Sequence, residues 1–152
     1  MRFAHTNIVS TDWEKLAEFY IKTFSCKIVP PIRRQSGKWF EDGTGLKDAK
    51  LEGAHLLLPG HGESGPTLEI YQYENIENEE PILPNKRGFG HIAFEVEDVK
   101  ATLQKLVENG GRRFGEITKK EIIGAGEITF VYARDPEGNL IELQSWEKLA
   151  GR

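Results

Sequence analysis

The segment Asp135-Pro136-Glu137-Gly138-Asn139-Leu140-Ile141-Glu142-Leu143 combines a turn with an apolar run that carries one carboxylate. Its aspartate, proline, glycine and asparagine indicate a turn. The run from Leu140 to Trp146 predicts a strand. Glu142 stands out in this strand, because an ionised carboxylate between apolar neighbours is costly unless a partner stabilises its charge.

A second strand pattern has the same character. In Thr67-Leu68-Glu69-Ile70-Tyr71 a glutamate again lies between apolar residues. Two histidines, His5 and His91, lie in comparable strand patterns. Side chains alternate between the two faces of a strand. We therefore expect His5 to share a face with Val9, and Glu69 to share one with Tyr71 and Tyr73.

Each histidine is followed by the same order of patterns. Asp12 and Asp98 come seven residues after His5 and His91, and an amphipathic helical pattern follows each aspartate. Thr11-x-x-Glu14 predicts a capping box for the first of these helices. Each half then continues with further strand patterns. The repeat predicts an α+β fold of two tandem βαβββ modules.

The predicted organisation is a single domain, residues 1–152, which is an ordinary domain size. Module 1 covers about residues 1–74 and module 2 about residues 88–147, with a polar, proline-containing linker at about 75–87. The first module is longer, and its extra length is expected in the polar segment 33–50, which contains Trp39. A lid over a site and a surface loop without a role are both open for that segment. Residues 119–121 are expected to form a solvated loop.

Composition excludes several classes of function. The net charge is -4 and no basic stripe is present, so nucleic acid is not an expected partner. The apolar runs are too short to span a membrane, and no signal-peptide pattern is visible at the N-terminus. The single Cys26 excludes an intrachain disulfide, which favours a cytoplasmic location. Cys26 itself is predicted to be a buried or incidental thiol.

His5, Glu69, His91 and Glu142 recur at equivalent positions of the repeat. Two imidazoles and two carboxylates suit one divalent metal ion, which could be Zn, Ni, Co, Mn or Fe(II). Taken singly, each histidine is more typical of a packed, hydrogen-bonded side chain and each glutamate of a solvated sheet face. The repeat is what makes them a set. His55 is predicted to be an ordinary strand histidine, and a position facing the cavity is the open alternative.

Over about residues 3–147 the chain resembles the vicinal-oxygen-chelate superfamily, also called the glyoxalase/bleomycin-resistance/dioxygenase superfamily. The resemblance implies that the paired modules form an open, cupped mixed β-sheet with flanking helices, a metal at the bottom of the cup, a small-molecule substrate and a homodimer. The resemblance rests on four segments: Phe3-Ala4-His5-Thr6-Asn7-Ile8-Val9, Thr67-Leu68-Glu69-Ile70-Tyr71, Gly88-Phe89-Gly90-His91-Ile92-Ala93-Phe94, and the turn and strand from Asp135 to Leu143.

The order His, Glu, His, Glu is similar to bacterial glyoxalase I, also called lactoylglutathione lyase. That likeness implies a metal-dependent lyase or isomerase that abstracts a proton next to a carbonyl, from a substrate that chelates the metal through vicinal oxygens. Glu142 is the first candidate for the proton shuttle and Glu69 the second. The predicted pocket-wall residues are Tyr71, Tyr73, Phe130, Tyr132 and Trp39.

Three alternatives stay open on the same fold. They are a methylmalonyl-CoA epimerase-like isomerase, which usually has Gln at the position of Glu69, an extradiol-type Fe(II) dioxygenase, and a metal-free small-ligand (antibiotic-type) binding protein. Glyoxalase I typically has Arg where this chain has Val9, helping to hold glutathione, and Asn where it has Tyr73. The substrate is therefore left open.

Overall fold

In the computed structural model the described residues are 1–77 and 82–147, so residues 78–81 of the predicted linker lie outside them. The chain separates into two compact units, Met1–Glu79 and Glu80–Arg152. Within the described residues, no helix is long and apolar enough to span a membrane.

Unit 1 is a four-stranded mixed sheet with a helix packed against its central strands. Its elements are β1 (His5–Val9), α1 (Trp13–Phe24), β2 (Lys27–Gln35), α2 (Lys38–Thr44), β3 (Leu51–Leu57) and β4 (Thr67–Tyr73). The strand order is β1-β4-β3-β2, in which β1 and β4 are parallel and the other neighbours antiparallel. The helix α1 packs on β3 and β4, where Leu68 and Ile70 are fully buried. Glu69 alternates with these two residues and so faces the other side of the sheet.

Unit 2 repeats this arrangement. Its elements are β5 (Ile92–Glu95), α3 (Val99–Glu108), β6 (Arg112–Arg113), β7 (Thr118–Ile122), β8 (Gly126–Arg134) and β9 (Leu140–Glu147). The strand order is β5-β9-β8-β6, with β5 and β9 parallel and β7 also paired to β8. Both β6 and β7 pair with β8, as the two ends of β2 pair with β3 on either side of a register shift. The predicted fold class, α+β with tandem βαβββ modules, is confirmed.

Two local predictions are wrong. Residues 119–121, expected in a loop, lie in β7, where exposed Lys119 forms ion pairs with Glu127 on β8 and Glu147 on β9. The cap of α1 is Asp12, whose side chain accepts a hydrogen bond from the Lys15 backbone N–H, in place of a box formed by Thr11 and Glu14.

The segment 33–50 has defined structure and is not the surface loop that was one of its two predicted forms. It contains the end of β2, all of α2 and an approach to β3. Phe40 of α2 is buried in a cluster with Ala49, Leu51 and Tyr71, against which Tyr73 also packs. The segment is thus attached to the sheet face that carries Glu69, because Tyr71 and Tyr73 alternate onto that face.

Asp135 organises the turn that leads into β9. Its side chain is fully buried. Its Oδ1 accepts hydrogen bonds from the backbone N–H groups of Glu137 and Asn139, at 3.0 and 2.9 Å, and its Oδ2 accepts one from Asn139 Nδ2 at 2.8 Å. The predicted turn is confirmed, and its carboxylate fixes where β9 begins.

We expect Asp135→Ala to lower the free energy of unfolding by about 1–3 kcal/mol, since it leaves three part-buried donors without this acceptor. Urea denaturation checks this. Asp42→Ala, which removes an exposed partner of Lys38, is the matched control and should cost under about 1 kcal/mol. A loss for Asp135→Ala no larger than the control's would contradict the role of the turn.

Cys26 is a buried thiol in surroundings that disfavour the thiolate. It is 2% exposed, and burial raises its pKa from 9.0 to about 11. At pH 8 the thiolate, which is the nucleophilic form, is then about 100-fold scarcer than for an unshifted thiol. We expect iodoacetamide to modify Cys26 rapidly in urea and about 100-fold more slowly in the native protein. Equal rates in the two states would contradict this environment.

Candidate functional site

Parallel pairing of β1 with β4 brings His5 and Glu69 to one face of unit 1. His5 pairs with Thr67 and Asn7 pairs with Glu69, and paired residues point to the same face of a sheet. The His5 Nδ1 atom lies 3.4 Å from Glu69 Oε1. The histidine side chain is 47% exposed and the glutamate side chain 10% exposed. The predicted alternation along both strands is confirmed.

The same geometry recurs in unit 2. Ile92, the first paired residue of β5, lies beside Ile141 of β9. His91 comes just before Ile92, and its Nε2 atom lies 2.9 Å from Glu142 Oε2. Their side chains are 32% and 14% exposed. Each unit therefore presents one histidine nitrogen and one carboxylate oxygen side by side.

These distances suit two ligands of one metal ion. Ligand atoms about 2.0–2.2 Å from a metal, at the angles of tetrahedral or octahedral geometry, are about 2.8–3.6 Å apart. The nitrogen–oxygen separations of 3.4 Å in unit 1 and 2.9 Å in unit 2 fall in that range. Among the described residues, no three His, Cys, Asp or Glu side chains are grouped as a metal site.

His55 is the residue of this site that sequence reasoning missed. It was predicted to be an ordinary strand histidine, yet its Nε2 atom lies 3.1 Å from Glu69 Oε1 and 2.8 Å from the Tyr71 hydroxyl. Its Nδ1 atom lies 3.1 Å from the Thr67 hydroxyl. Burial lowers the pKa of His55 below 6.5, and the adjacent Glu69 carboxylate offsets this only in part. This shift favours the neutral form of the ring.

Two of the predicted wall residues adjoin the histidine–glutamate pairs. The Tyr71 hydroxyl contacts His55, and burial together with the nearby Glu69 carboxylate raises its pKa to about 12. In unit 2 the Tyr132 ring centroid lies 5.0 Å from that of His91. Burial, followed by the Glu142 carboxylate, raises the pKa of Tyr132.

The other three predicted wall residues contact aromatic side chains. Phe130 contacts Tyr132 edge-on, at 6.0 Å between ring centroids. Tyr73 stacks on Phe40 at 6.5 Å, and burial raises its pKa. Trp39 is 66% exposed and its ring lies 5.5 Å from that of Phe40.

A polar cavity of about 380 Å³ lies elsewhere in unit 1. Its wall includes Trp13 and two ion pairs, Arg34–Glu52 and Lys50–Glu74. Tyr73 is the predicted site residue that it includes. The cavity is therefore distinct from the His5–Glu69 pair, and its cations already have carboxylate partners.

The family follows from comparison with known sequences. The model of the Glyoxalase/Bleomycin resistance protein/Dioxygenase superfamily matches residues 2–143. The chain belongs to this superfamily. Its members usually use a metal ion, which agrees with the donor atoms that the two histidine–glutamate pairs provide.

Two relatives carry a related name. The chain is 28% identical over 152 residues to the lactoylglutathione lyase of Schizosaccharomyces pombe, covering 93% of this chain and 46% of that protein. It is 26% identical over 143 residues to a probable lactoylglutathione lyase of Synechocystis, covering 94% of each. The chain thus spans about half the length of the yeast protein and nearly all of the cyanobacterial one.

Solved structures support the fold. A glyoxalase family protein from Bacillus cereus superposes with a TM-score of 0.75 at 21% identity, covering 96% of this chain and 93% of that one. A glyoxalase I mutant from Zea mays gives a TM-score of 0.63 at 22% identity, covering 94% of this chain and 44% of the maize chain. Likeness at this level of identity concerns the fold alone.

Proposed function

We propose that this chain is a metal-dependent lyase or isomerase of the glyoxalase I type, with His5, Glu69, His91 and Glu142 as the metal ligands. Its substrate would present two neighbouring oxygens to the metal and lose a proton next to a carbonyl. The observation that carries this proposal is the recurrence of a histidine–glutamate pair, at metal-ligand spacing, in both units. The names of the two relatives support the same class of reaction.

The bound ion would polarise the substrate carbonyl and stabilise negative charge on its oxygen. Glu142 is the proposed proton acceptor, and Glu69 is the second candidate. Glu69 is in contact with His5, His55 and Tyr71, which hold its carboxylate in place. Glu142 lies against His91 and beside Tyr132 on the neighbouring strand. In these contacts Glu142 has fewer polar neighbours than Glu69. Its carboxylate is therefore better able to turn toward a substrate C–H bond and accept the proton.

Two positions of unit 1, Val9 and Tyr73, differ from a glutathione-binding enzyme of this type, which typically has Arg and Asn there. Val9 is 47% exposed and lies beside Tyr71 in the β1–β4 pairing. Tyr73 is stacked on Phe40. Neither offers the charge of an arginine, so the glutathione hemithioacetal and an acyl-CoA are both substrates to test.

A metal-reconstituted assay tests the proposal. The protein is purified without chelators, its metal content is measured, and it is assayed with Zn, Ni, Co, Mn and Fe(II). The two substrates are the hemithioacetal of methylglyoxal and glutathione, and a racemic 2-methyl-acyl-CoA. We expect turnover of one of them that a chelator abolishes. Metal-free protein that binds none of these ions would contradict the proposal and favour a ligand-binding protein, whereas oxygen uptake would favour a dioxygenase.

The homodimer implied by the resemblance and the cytoplasmic location favoured by the single cysteine stay predictions. Sedimentation equilibrium of the purified chain tests the first, and a tagged chain in cell fractions tests the second.

A further inference from the structure

Glu69 and Glu142 occupy equivalent positions of the repeat but have different neighbours. In the antiparallel pairing of β3 with β4, the residue opposite Glu69 is His55. In the pairing of β8 with β9, the residue opposite Glu142 is Tyr132. The repeat thus preserves the glutamate and changes the side chain that faces it.

The residues two positions before and two positions after each glutamate also differ between the two units. Glu69 has Thr67 before it and Tyr71 after it, and the hydroxyl groups of both contact His55. Glu142 has Leu140 and Gln144 at the equivalent positions. In unit 1 the glutamate is therefore surrounded by hydrogen-bonding side chains. Unit 2 has different residues at the equivalent positions.

The hydrogen bonds of His55 are mutually consistent in one tautomer. A carboxylate only accepts hydrogen bonds, so the Nε2 atom, 3.1 Å from Glu69 Oε1, carries the proton. The Nδ1 atom then accepts from the Thr67 hydroxyl at 3.1 Å. The Tyr71 hydroxyl, 2.8 Å from Nε2, also hydrogen-bonds to Glu69. Every polar atom of the ring is engaged, and the ring directs its N–H at the carboxylate.

A glycine makes room for this group. Gly53 lies opposite Tyr71 in the β3–β4 pairing. A Cβ atom at that position would lie 2.6 Å from Tyr71 Cδ1 and 2.0 Å from the Ile70 carbonyl oxygen. The Tyr71 ring occupies the space that a side chain would take, which leaves its hydroxyl within reach of His55.

We infer that His55 is a positioning residue that fixes the Glu69 carboxylate for metal binding. The inference rests on the proposed function, because it takes Glu69 to be a metal ligand. We assign His55 to positioning and not to the ligand set because hydroxyl groups hold both of its ring nitrogens: Tyr71 lies 2.8 Å from Nε2 and Thr67 lies 3.1 Å from Nδ1.

The test is the affinity of the protein for Zn²⁺, measured by competition with a chromogenic chelator. His55→Leu removes the N–H donor and should weaken binding about 10- to 100-fold, the usual cost of losing a group that orients a metal ligand. His55→Gln keeps an N–H donor at the end of the side chain and should bind within about threefold of the native protein. His61→Leu, in an exposed turn, is the matched control and should bind normally.

Two further measurements keep the inference falsifiable if His55→Leu does not fold. Thr67→Val retains shape and removes only the hydroxyl that holds Nδ1, so it should weaken Zn²⁺ binding about fivefold, the worth of about one hydrogen bond. Histidine ¹⁵N NMR of the metal-free protein should show the Nε2–H tautomer for His55.

The possible outcomes separate this inference from the proposed function. Native protein that binds none of the five ions named above, Zn²⁺ included, overturns both. Native protein that binds Zn²⁺, with His55→Leu and Thr67→Val binding equally well, overturns the role of His55 alone. An equal loss of Zn²⁺ affinity in His55→Leu and His55→Gln also overturns the role of His55, because the N–H donor that Gln keeps would then make no difference.

Discussion

Replacing Glu142 with Gln is expected to lower turnover by about 10²- to 10⁴-fold, the usual contribution of a positioned proton acceptor. The amide has the size of the carboxylate and can keep its contact with His91, so the fold should be retained. Steady-state kinetics at saturating metal, with circular dichroism and thermal melting of the same samples, measure both parts of the expectation.

Two matched variants show whether the effect belongs to Glu142. Glu147→Gln lies on the same strand, in the exposed ion pair with Lys119, and should leave turnover unchanged. Glu69→Gln should weaken metal binding, and its turnover should recover at high metal concentration, because Gln is acceptable at this position in epimerase-type members of the superfamily. If Glu142→Gln keeps more than about a tenth of the native turnover, the proton acceptor has been assigned wrongly.

Much of the fold was predictable because the relevant signals are local. The apolar–polar alternation of β1 and β4 predicts that His5 and Val9 share a face, and the turn chemistry around Asp135 predicts where β9 begins. The histidine–glutamate pairing within each unit was predictable for the same reason, since a repeated pattern places repeated residues on equivalent strands.

The neighbour of Glu69 was not predictable, because it depends on register. His55 and Glu69 face each other only when β3 and β4 pair with Leu57 opposite Thr67. The turn that sets this register spans residues 58–66 and contains three glycines, so its geometry cannot be inferred from composition. A shift by one residue would have placed His55 on the other face.

The form of the segment 33–50 was hidden for a different reason. Its helix α2 has seven residues, which is too short to have a reliable periodicity. The burial of Phe40 comes from tertiary contact with Tyr71 and Tyr73 on a distant strand. Pairing of β7 with β8 likewise overrides the polar composition of residues 119–121.

Replacing His91 with Ala is expected to weaken metal binding by more than about 100-fold and to remove turnover. The lower bound follows from the loss of a ligand, since even a group that only orients a ligand is worth about 10- to 100-fold in affinity. The residual carboxylate of Glu142 would then lack its neighbour at 2.9 Å. Equilibrium dialysis followed by elemental analysis gives the number of ions per chain, and the same samples are assayed for activity.

The number of metal ions bound per chain shows whether the two histidine–glutamate pairs bind one ion together or one ion each. If both pairs ligate the same ion, His5→Ala and His91→Ala should each remove almost all bound metal, and the double variant should be no worse. If each pair held its own ion, a single variant would keep about half of the metal and the losses would add. The exposed His61→Ala should keep the native content. Because two side chains from one unit are too few for a tight site, half-retention after either single change would contradict the four-ligand site, and with it the assignment of Glu69 and Glu142 to one reaction.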